Sequence, residues 1–514
     1  MNGAVRRHGA ALVAVALTVG ALTAVGTDWG RPSASSERDG GRPNIVVIYT
    51  DDQTVAQMEA LPATRRFFDA NGVRFADNTT TFPLCCPSRA TLLTGMYTHN
   101  HGVNSNYFAS GGGYRTFAQR DGDRSLAVAL DQAGYHTGWL GKYLNEYGSA
   151  SAGNSPTERA PGWDDWRPAI GEYATDYWHT RINDNGTVVD LSGRYQTDAY
   201  ADIAGQMIDE AVGQPDPFFL VFSFFAPHLG VRVDGGATED ERTLDVAEYS
   251  PRYADAYGAS LAPRGAAFNE SSLDDKPAVV RDLYGPLLTP AEVDAIDQRW
   301  RSELRALRSV DDAFSEIRRT LSDAGALDDT LVVFTSDNGY MHGEHRIPSA
   351  KYVPYRESLE VPLYIADPGG RHGAVYRGLT ANIDLAPTVL DYAHAETLAP
   401  VDGLSLRGPV TTGADLGIGG GRPILLHGGE AGVGSRLAGY SGVRWGTWVL
   451  WQWDSAGQPV EMYDLATDPD EVQNLADDSR FAATRAALVA MRDELTGCVG
   501  PTCRLLPARG PDGS

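Results

Sequence analysis

Short runs in which almost every position is apolar alternate along this chain with longer stretches in which apolar residues recur every three or four positions. NIVVIYT, HTGWLG, FFLVFSFFAP and TLVVFTS are rich in Val, Ile and Phe and too short for stable helices, so they predict buried strands. SLAVALDQAG and RWRSELRALRSVDDAFSEIRRTLSDAG carry helical spacing between them. The alternation predicts an α/β fold built on a large, mostly parallel sheet with helices on both faces. After about Val401 the pattern changes: glycine-rich TTGADLGIGGGRP leads into ILLHGG, YSGVRWGTWVLWQWDS and EMYDLATDPDEVQNLADD, which read as short antiparallel strands with hairpin turns. A terminal helix over roughly 479–495 completes a small α+β subdomain. The expected division is a leader over 1–42, a catalytic domain over 43–400 and a C-terminal subdomain over 401–514. Residues 235–287 are polar, rich in Pro and Gly and without period, which predicts a surface excursion that helps to shape a cleft.

What ends each strand is more informative than the strands. NIVVIYT runs into Asp51 and Asp52, HTGWLG into Lys142, FFLVFSFFAP into His228, and TLVVFTS into Asp337 and Asn338. In an open α/β sheet, ligands bind beyond the carboxyl ends of the strands. Asp and Asn at one strand end are ordinary turn formers and caps. Four charged or metal-competent ends together predict one site. Asp51, Asp52, Asp337 and Asn338 offer hard oxygens suited to calcium or magnesium, without the His and Cys ligands expected of zinc.

Composition narrows the function. The chain has 514 residues, 42% hydrophobic, with 10 Trp and 23 Tyr, enough for a large core and suited to a globular enzyme. A net charge of -24 excludes nucleic acid as a partner and opposes long-range attraction of polyanions, so an anionic substrate needs a local basic cluster. Arg6 and Arg7 precede the apolar run 11–26, which reads as an export signal, with an uncleaved membrane anchor as its rival. Cys498 and Cys503, in TGCVGPTCR, are expected to bridge, as suits an oxidising compartment.

That leaves Cys85 and Cys86 adjacent in TFPLCCPSRATLLTG. Pro87 suits the first turn of a helix and Gly95 its end, so Cys85 is expected at a helix N-terminus, a favourable place for an anion, with Arg89 adding a planar cation. A thiolate nucleophile is one reading. The cysteine phosphatase loop, which needs an arginine six residues on, is absent: Thr91 and Leu92 stand there. Lys142, Lys351 and His228, each unremarkable singly, complete a basic cluster able to grip a sulfate or phosphate ester.

Cys85-Cys86-Pro87-Ser88-Arg89 followed by Leu93-Thr94-Gly95 resembles the signature of the type I, formylglycine-dependent sulfatases of the alkaline phosphatase superfamily. PNIVVIYTDDQ, LGKYLNEY, FFAPH, FTSDNGYMHGEHR and YDLATDPDEVQNL extend the resemblance over nearly everything after the leader, and the Cys-Cys pair, TGMYTHNHGV and GKYLNEYG are most similar to N-acetylglucosamine-6-sulfatases and related heparan-type sulfatases, with the arylsulfatases beside them. The resemblance implies that Cys85 is oxidised to formylglycine by a formylglycine-generating enzyme and that its hydrated aldehyde attacks the ester sulfur. It also implies one calcium ion held by Asp51, Asp52, Asp337, Asn338 and the group at Cys85. Arg89 would steady that charge, while Lys142, His228 and Lys351 would bind sulfate and assist the leaving oxygen. Many arylsulfatases carry a histidine two residues after the lysine matched by Lys142; here Leu144 and then Asn145 follow it. Asn145, His99, His101 and His345 are therefore substrate-contact candidates.

The expected function is hydrolysis of a sulfated sugar or an aryl sulfate by an exported enzyme. The alternatives are a formylglycine-dependent phosphonate or phosphodiester hydrolase and an inactive sulfated-glycan-binding protein.

Overall fold

The computed structural model describes residues 41–230, 246–416, 421–429 and 438–504. The expected export signal and leader lie outside them but for the last two positions. Eight strands form the main sheet in the order Ala374–Tyr376, Val73–Phe75, Leu363–Ala366, Thr330–Ser336, Asn44–Asp51, Phe218–Pro227, His136–Gly141, Asp165–Pro168. Neighbours pair parallel except Leu363–Ala366, which runs antiparallel to both of its neighbours. The mostly parallel sheet expected from the apolar runs is therefore present.

Asn44–Asp51 is the central strand and is buried at every position. Its side chains alternate between two layers, as the pleat requires. Ile45, Val47 and Tyr49 pack with Leu92, Leu126, Leu130 and Val389, whereas Val46 and Ile48 pack with Ile203, Met207, Leu307 and Phe314. The first layer is supplied by helices Cys85–Thr94, Leu126–Gln132 and Leu385–Ala393; the second by Gln196–Val212 and Pro290–Asp323. The last of these begins nine residues earlier than the periodic run from Arg299. Thr289 and Glu292 form a capping box with Pro290 at the first position, a start signal that lies ahead of the apolar stripe.

Parallel register brings the strand ends to one edge. Thr50 stands opposite Ser336, Tyr49 opposite Ser223, and Gly141 opposite Ser223. Residues 246–287 are less of a surface excursion than their composition predicts, because Ala262, Ala267, Leu273, Lys276 and Val280 are buried. Residues 231–245 lie outside the described residues.

Ile424–Gly428, Tyr440–Trp445, Trp448–Trp453 and Val460–Asp464 form an antiparallel sheet in chain order, followed by helix Ala482–Thr496. This sheet packs Trp451, Trp453 and Tyr463 against Ile347, Val353 and Tyr355, on the segment that carries Lys351. Its centre is Glu461, fully buried. That carboxylate accepts from Trp451 Nε1 at 3.1 Å, Trp453 Nε1 at 2.7 Å, Tyr355 Oη at 3.1 Å and Tyr463 Oη at 2.5 Å. Cys498 and Cys503 are disulfide-bonded just after the helix. Among the described residues no helix is long and apolar enough to cross a membrane.

Leucine at position 461 leaves four buried donors without an acceptor, each costing about 1–3 kcal/mol. Urea denaturation should therefore show Glu461→Leu to be several-fold more damaging than Thr289→Ala, where a lost cap costs about 1 kcal/mol. Equal losses would deny Glu461 its central place.

Candidate active site

Helix Cys85–Thr94 is buried along its whole length, and its small residues let it lie directly against the sheet edge. Gly95 ends it with φ 67°, and a Cβ there would press on Ala386, Pro387 and Val401 at 3.2 Å. At the other end, Pro87 lacks an N–H that would have no helical partner, and Asn106 Oδ1 accepts from Cys86 N at 2.9 Å. Cys85 is the first helical residue and 1% exposed. Its amide end faces the strand termini, where an anion is favoured.

Four strand ends meet it. Arg89, fully buried, donates from Nε to Asp337 Oδ2 at 2.9 Å and from Nη1 to Lys142 O at 2.7 Å and Ser223 Oγ at 2.8 Å. Its Nη2 lies 3.4 Å from Asp51 Oδ2, and its guanidinium lies 4.9 Å from the centre of the Tyr49 ring. Lys142 Nζ pairs with Asp51 Oδ2. Lys351 Nζ donates to Asp52 Oδ1 at 2.6 Å and to Cys85 Sγ at 2.9 Å. Asp52 has φ 67°, a left-handed turn that aspartate tolerates and that follows a register irregularity at the strand end. Asn338 Nδ2 donates to Asp52 Oδ1 at 2.6 Å, and Asp337 Oδ1 accepts from the backbone N–H groups of Asp52 and Asn338 at 3.1 and 2.8 Å.

The donor set fits a hard cation. One ligand atom each from Asp51, Asp52, Cys85 and His228 lies within 4.8 Å of the others. Asp52 Oδ2 and Asn338 Oδ1 are buried oxygens without hydrogen-bond partners, an expensive arrangement unless a cation meets them. His228 belongs with this group as much as with the lysines, its Nε2 being 3.5 Å from Asp52 Oδ2.

Electrostatics separate the roles. Burial pushes Asp51 up, but the Lys142 ammonium, with His228, Arg89 and Lys351, outweighs it and holds the carboxyl well below the usual range. Burial and neighbouring Asp51 lift Asp337 to about 6. Burial would discharge Lys142 and Lys351, yet Asp51 for the first and Asp52 for the second hold both ammoniums above their ordinary values. Burial lowers His228 to about 4, so its imidazole is neutral at neutral pH. Burial and Asp51 push the Cys85 thiol up to about 12, which removes support for a thiolate nucleophile.

Among the weaker candidates, the structure brings only Asn145 near. Its backbone N–H faces the Cys86 sulfur, and its sheltered Oδ1 has no partner. His101 and His345 are fully buried, the first beside Thr91 Oγ1 at 3.2 Å and the second against Glu270 Oε2 at 2.8 Å and stacked on Tyr355. Neither ring is open to solvent. His99 pairs with Cys498 O at 2.9 Å and stacks on Tyr97. Their nearness to motifs in sequence reflects packing behind the site. Ser223 went unnoticed, although the one serine inside FFLVFSFFAP is a visible signal. Asn106 left none.

Carboxylates and fixed cations gathered at a helix N-terminus beyond a parallel sheet define a hydrolase site for anionic esters. Residues 43–395 match the Sulfatase family, and residues 343–496 match the family described as N-sulphoglucosamine sulphohydrolase, C-terminal. An arylsulfatase of Volvox carteri is 30% identical over 90% of this chain and 76% of its own length. A human N-acetylglucosamine-6-sulfatase is 29% identical over 90% and 86%. A solved structure described as a complex with D-glucosamine-2-N,6-O-disulfate shares the fold with TM-score 0.70 and 24% identity, over 88% of this chain and 97% of that one. The chain belongs to the sulfatase family, and its activity is sulfuric ester hydrolysis.

The buried histidines behind the site predict an acid response. His101 is held down to about 3 by burial, with Arg120 adding to it. Because its folded value lies below the unfolded one, the unfolded chain takes up the proton first. Stability from this group is complete above the unfolded value, about 6.5, and falls with pH down to the folded one. His101→Gln should flatten the stability–pH curve between those limits by up to about 1.4 kcal/mol per pH unit. Denaturant melts across that window check it, and an unchanged slope would refute the assignment.

Proposed function

We propose that this chain is an exported sulfatase acting on a sulfated sugar such as N-acetylglucosamine-6-sulfate, or on an aryl sulfate. Its reacting group is formylglycine made from Cys85, and it works with one bound calcium ion. The observation that carries this reading is the meeting of Cys85 at a helix N-terminus with Asp51 and Asp52 and the ammonium of Lys351, at 2.6 Å from Asp52 and 2.9 Å from Cys85. The names of the Volvox and human relatives support the two substrate classes. The basic, apolar N-terminal run supports export.

Asp51, Asp52, Asp337, Asn338 and the group at position 85 would hold the cation. Calcium suits so many oxygens better than magnesium does. Such an ion supplies positive charge against the ester oxygens and the reacting group. Arg89 orients Asp51 and Asp337 and supplies fixed charge beneath them. Lys142 and Lys351 remain ammoniums and bind the sulfate oxygens. His228, about a fifth exposed, is the group whose proton affinity an incoming anion raises, so it can donate to the leaving oxygen. Asn145 Oδ1, buried without a hydrogen-bond partner, is an acceptor that a substrate hydroxyl would satisfy, next to Leu144, which stands where many arylsulfatases place a histidine.

Oxidation of Cys85 must precede folding, because at 1% exposure no formylglycine-generating enzyme reaches it in the folded chain. Mass spectrometry of the signature peptide from the native host should find an aldehyde at Cys85 and an unchanged thiol at Cys86. An intact Cys85 thiol would overturn the maturation.

Nitrophenyl sulfate should be turned over with a far higher kcat/KM than a nitrophenyl phosphonate ester, and Cys85→Ala should abolish turnover. The opposite preference would transfer the reading to phosphonate hydrolysis. Unchanged rates in Cys85→Ala would remove position 85 from the chemistry.

A further inference from the structure

The cluster at Cys85 grips the sulfate end of a substrate; the alcohol end must be met by the mouth of the cleft. Two tyrosines have short, fixed links to the start of the Cys85–Thr94 helix. Asn106 is bonded to Cys86 N at 2.9 Å, and the next residue, Tyr107, is 50% exposed. Tyr107 N donates to Ser105 Oγ at 3.2 Å, and Tyr107 O accepts from Gly112 N at 2.9 Å. At Gly112 a Cβ would fall 1.8 Å from Ser105 O, so the turn is closed on itself and holds the ring's backbone in place. Tyr352 adjoins Lys351, is half-buried, and donates its N–H to Pro83 O at 3.0 Å, two residues ahead of Cys85. Burial raises the Tyr352 phenol; Lys351 lowers it and Cys85, Asp52 and Tyr107 raise it, so its hydroxyl lies within electrostatic reach of all four.

One exposed tyrosine is ordinary surface. Two amphipathic rings tied to the residues on either side of one buried reacting position are a different arrangement. We infer that Tyr107 and Tyr352 form an aromatic rim that seats the ring of the leaving alcohol, so that the enzyme favours sulfate esters of sugar or aryl rings over open-chain alkyl sulfates. The rim deepens the sulfatase reading and rests on it. A pyranose or benzene face stacks on a phenol ring while the phenol hydroxyl reaches ring hydroxyls. A flexible alkyl chain offers less flat area and loses more rotamer freedom on binding.

The test compares N-acetylglucosamine-6-sulfate, nitrophenyl sulfate and hexyl sulfate as substrates of the wild type, Y107A, Y107F and Y352A. Y107A should lose roughly 3- to 10-fold in kcat/KM on the ring-bearing esters, mainly through KM, with little change on hexyl sulfate. Y107F should restore the loss, since it keeps the ring. The sugar and aryl arms show which ring the rim serves. Equal losses on hexyl sulfate, or none on either ring ester, would overturn the rim. Binding of nitrophenyl sulfate to C85A and to C85A/Y107A separates the rim from the reaction. Weaker binding of the double variant supports the rim even where no ester is turned over, an outcome that instead defeats the sulfatase reading. Equal binding defeats the rim alone.

Discussion

Everything at the sheet edge depends on one buried guanidinium. Arg89 projects from the helix Cys85–Thr94 and touches a residue at the end of, or within, four neighbouring strands: Asp337, Lys142, Ser223 and Asp51. Burying that charge is costly unless its donors are met, and here Nε and Nη1 of the guanidinium fork bond a carboxylate, a carbonyl and a hydroxyl, while Nη2 has the Asp51 carboxylate 3.4 Å away as an ion-pair partner. A lysine has the charge without the fork and could satisfy one of these ends at a time. The same side chain therefore fixes the helix to the sheet and sets the spacing of the acids. It also keeps Cys85 at the mouth of the strand bundle.

Around it the charges are nearly balanced within a small volume. Asp51, Asp52 and Asp337 stand against Arg89, Lys142 and Lys351, all of them buried. The chain as a whole carries -24, so no long-range field draws an anion in. On the proposed reading a sulfate would be held at short range by desolvated groups: two ammoniums that their carboxylate partners keep charged, and a helix end that prefers negative charge. Asp52 and Asn338, each with a buried oxygen that lacks a hydrogen-bond partner, would help to hold a cation, which would add positive charge beside the lysines.

The C-terminal sheet is bound into the same arrangement. Glu461 reaches Tyr355, four residues after Lys351, and Trp451 packs edge-on to the Tyr355 ring. The segment that delivers Lys351 has no regular secondary structure from Lys351 to Tyr355. Its position is set by side chains from both sheets, and backbone hydrogen bonding alone would leave it loose.

Much of this was legible in the order of residues. Apolar runs long enough only for strands, each ending in Asp, Lys, His or Asn, determine a parallel sheet with polar groups at one edge, because parallel strands share a direction. The spacing of Pro87, Arg89 and Gly95 determines a short helix with Cys85 at its start. Proximity along the chain did not reveal that His101 and His345 are fully buried and that His99 pairs with Cys498 O, since nearness to a motif does not fix where a side chain packs. Tertiary structure decided which groups face each other. Arg89 and Ser223 lie 134 residues apart, and Lys351 and Cys85 lie 266 apart. Such pairs form only when register and layer packing bring distant strand ends together. Burial, likewise a property of the folded chain alone, separates lysines that stay charged from a histidine and a thiol that do not ionise.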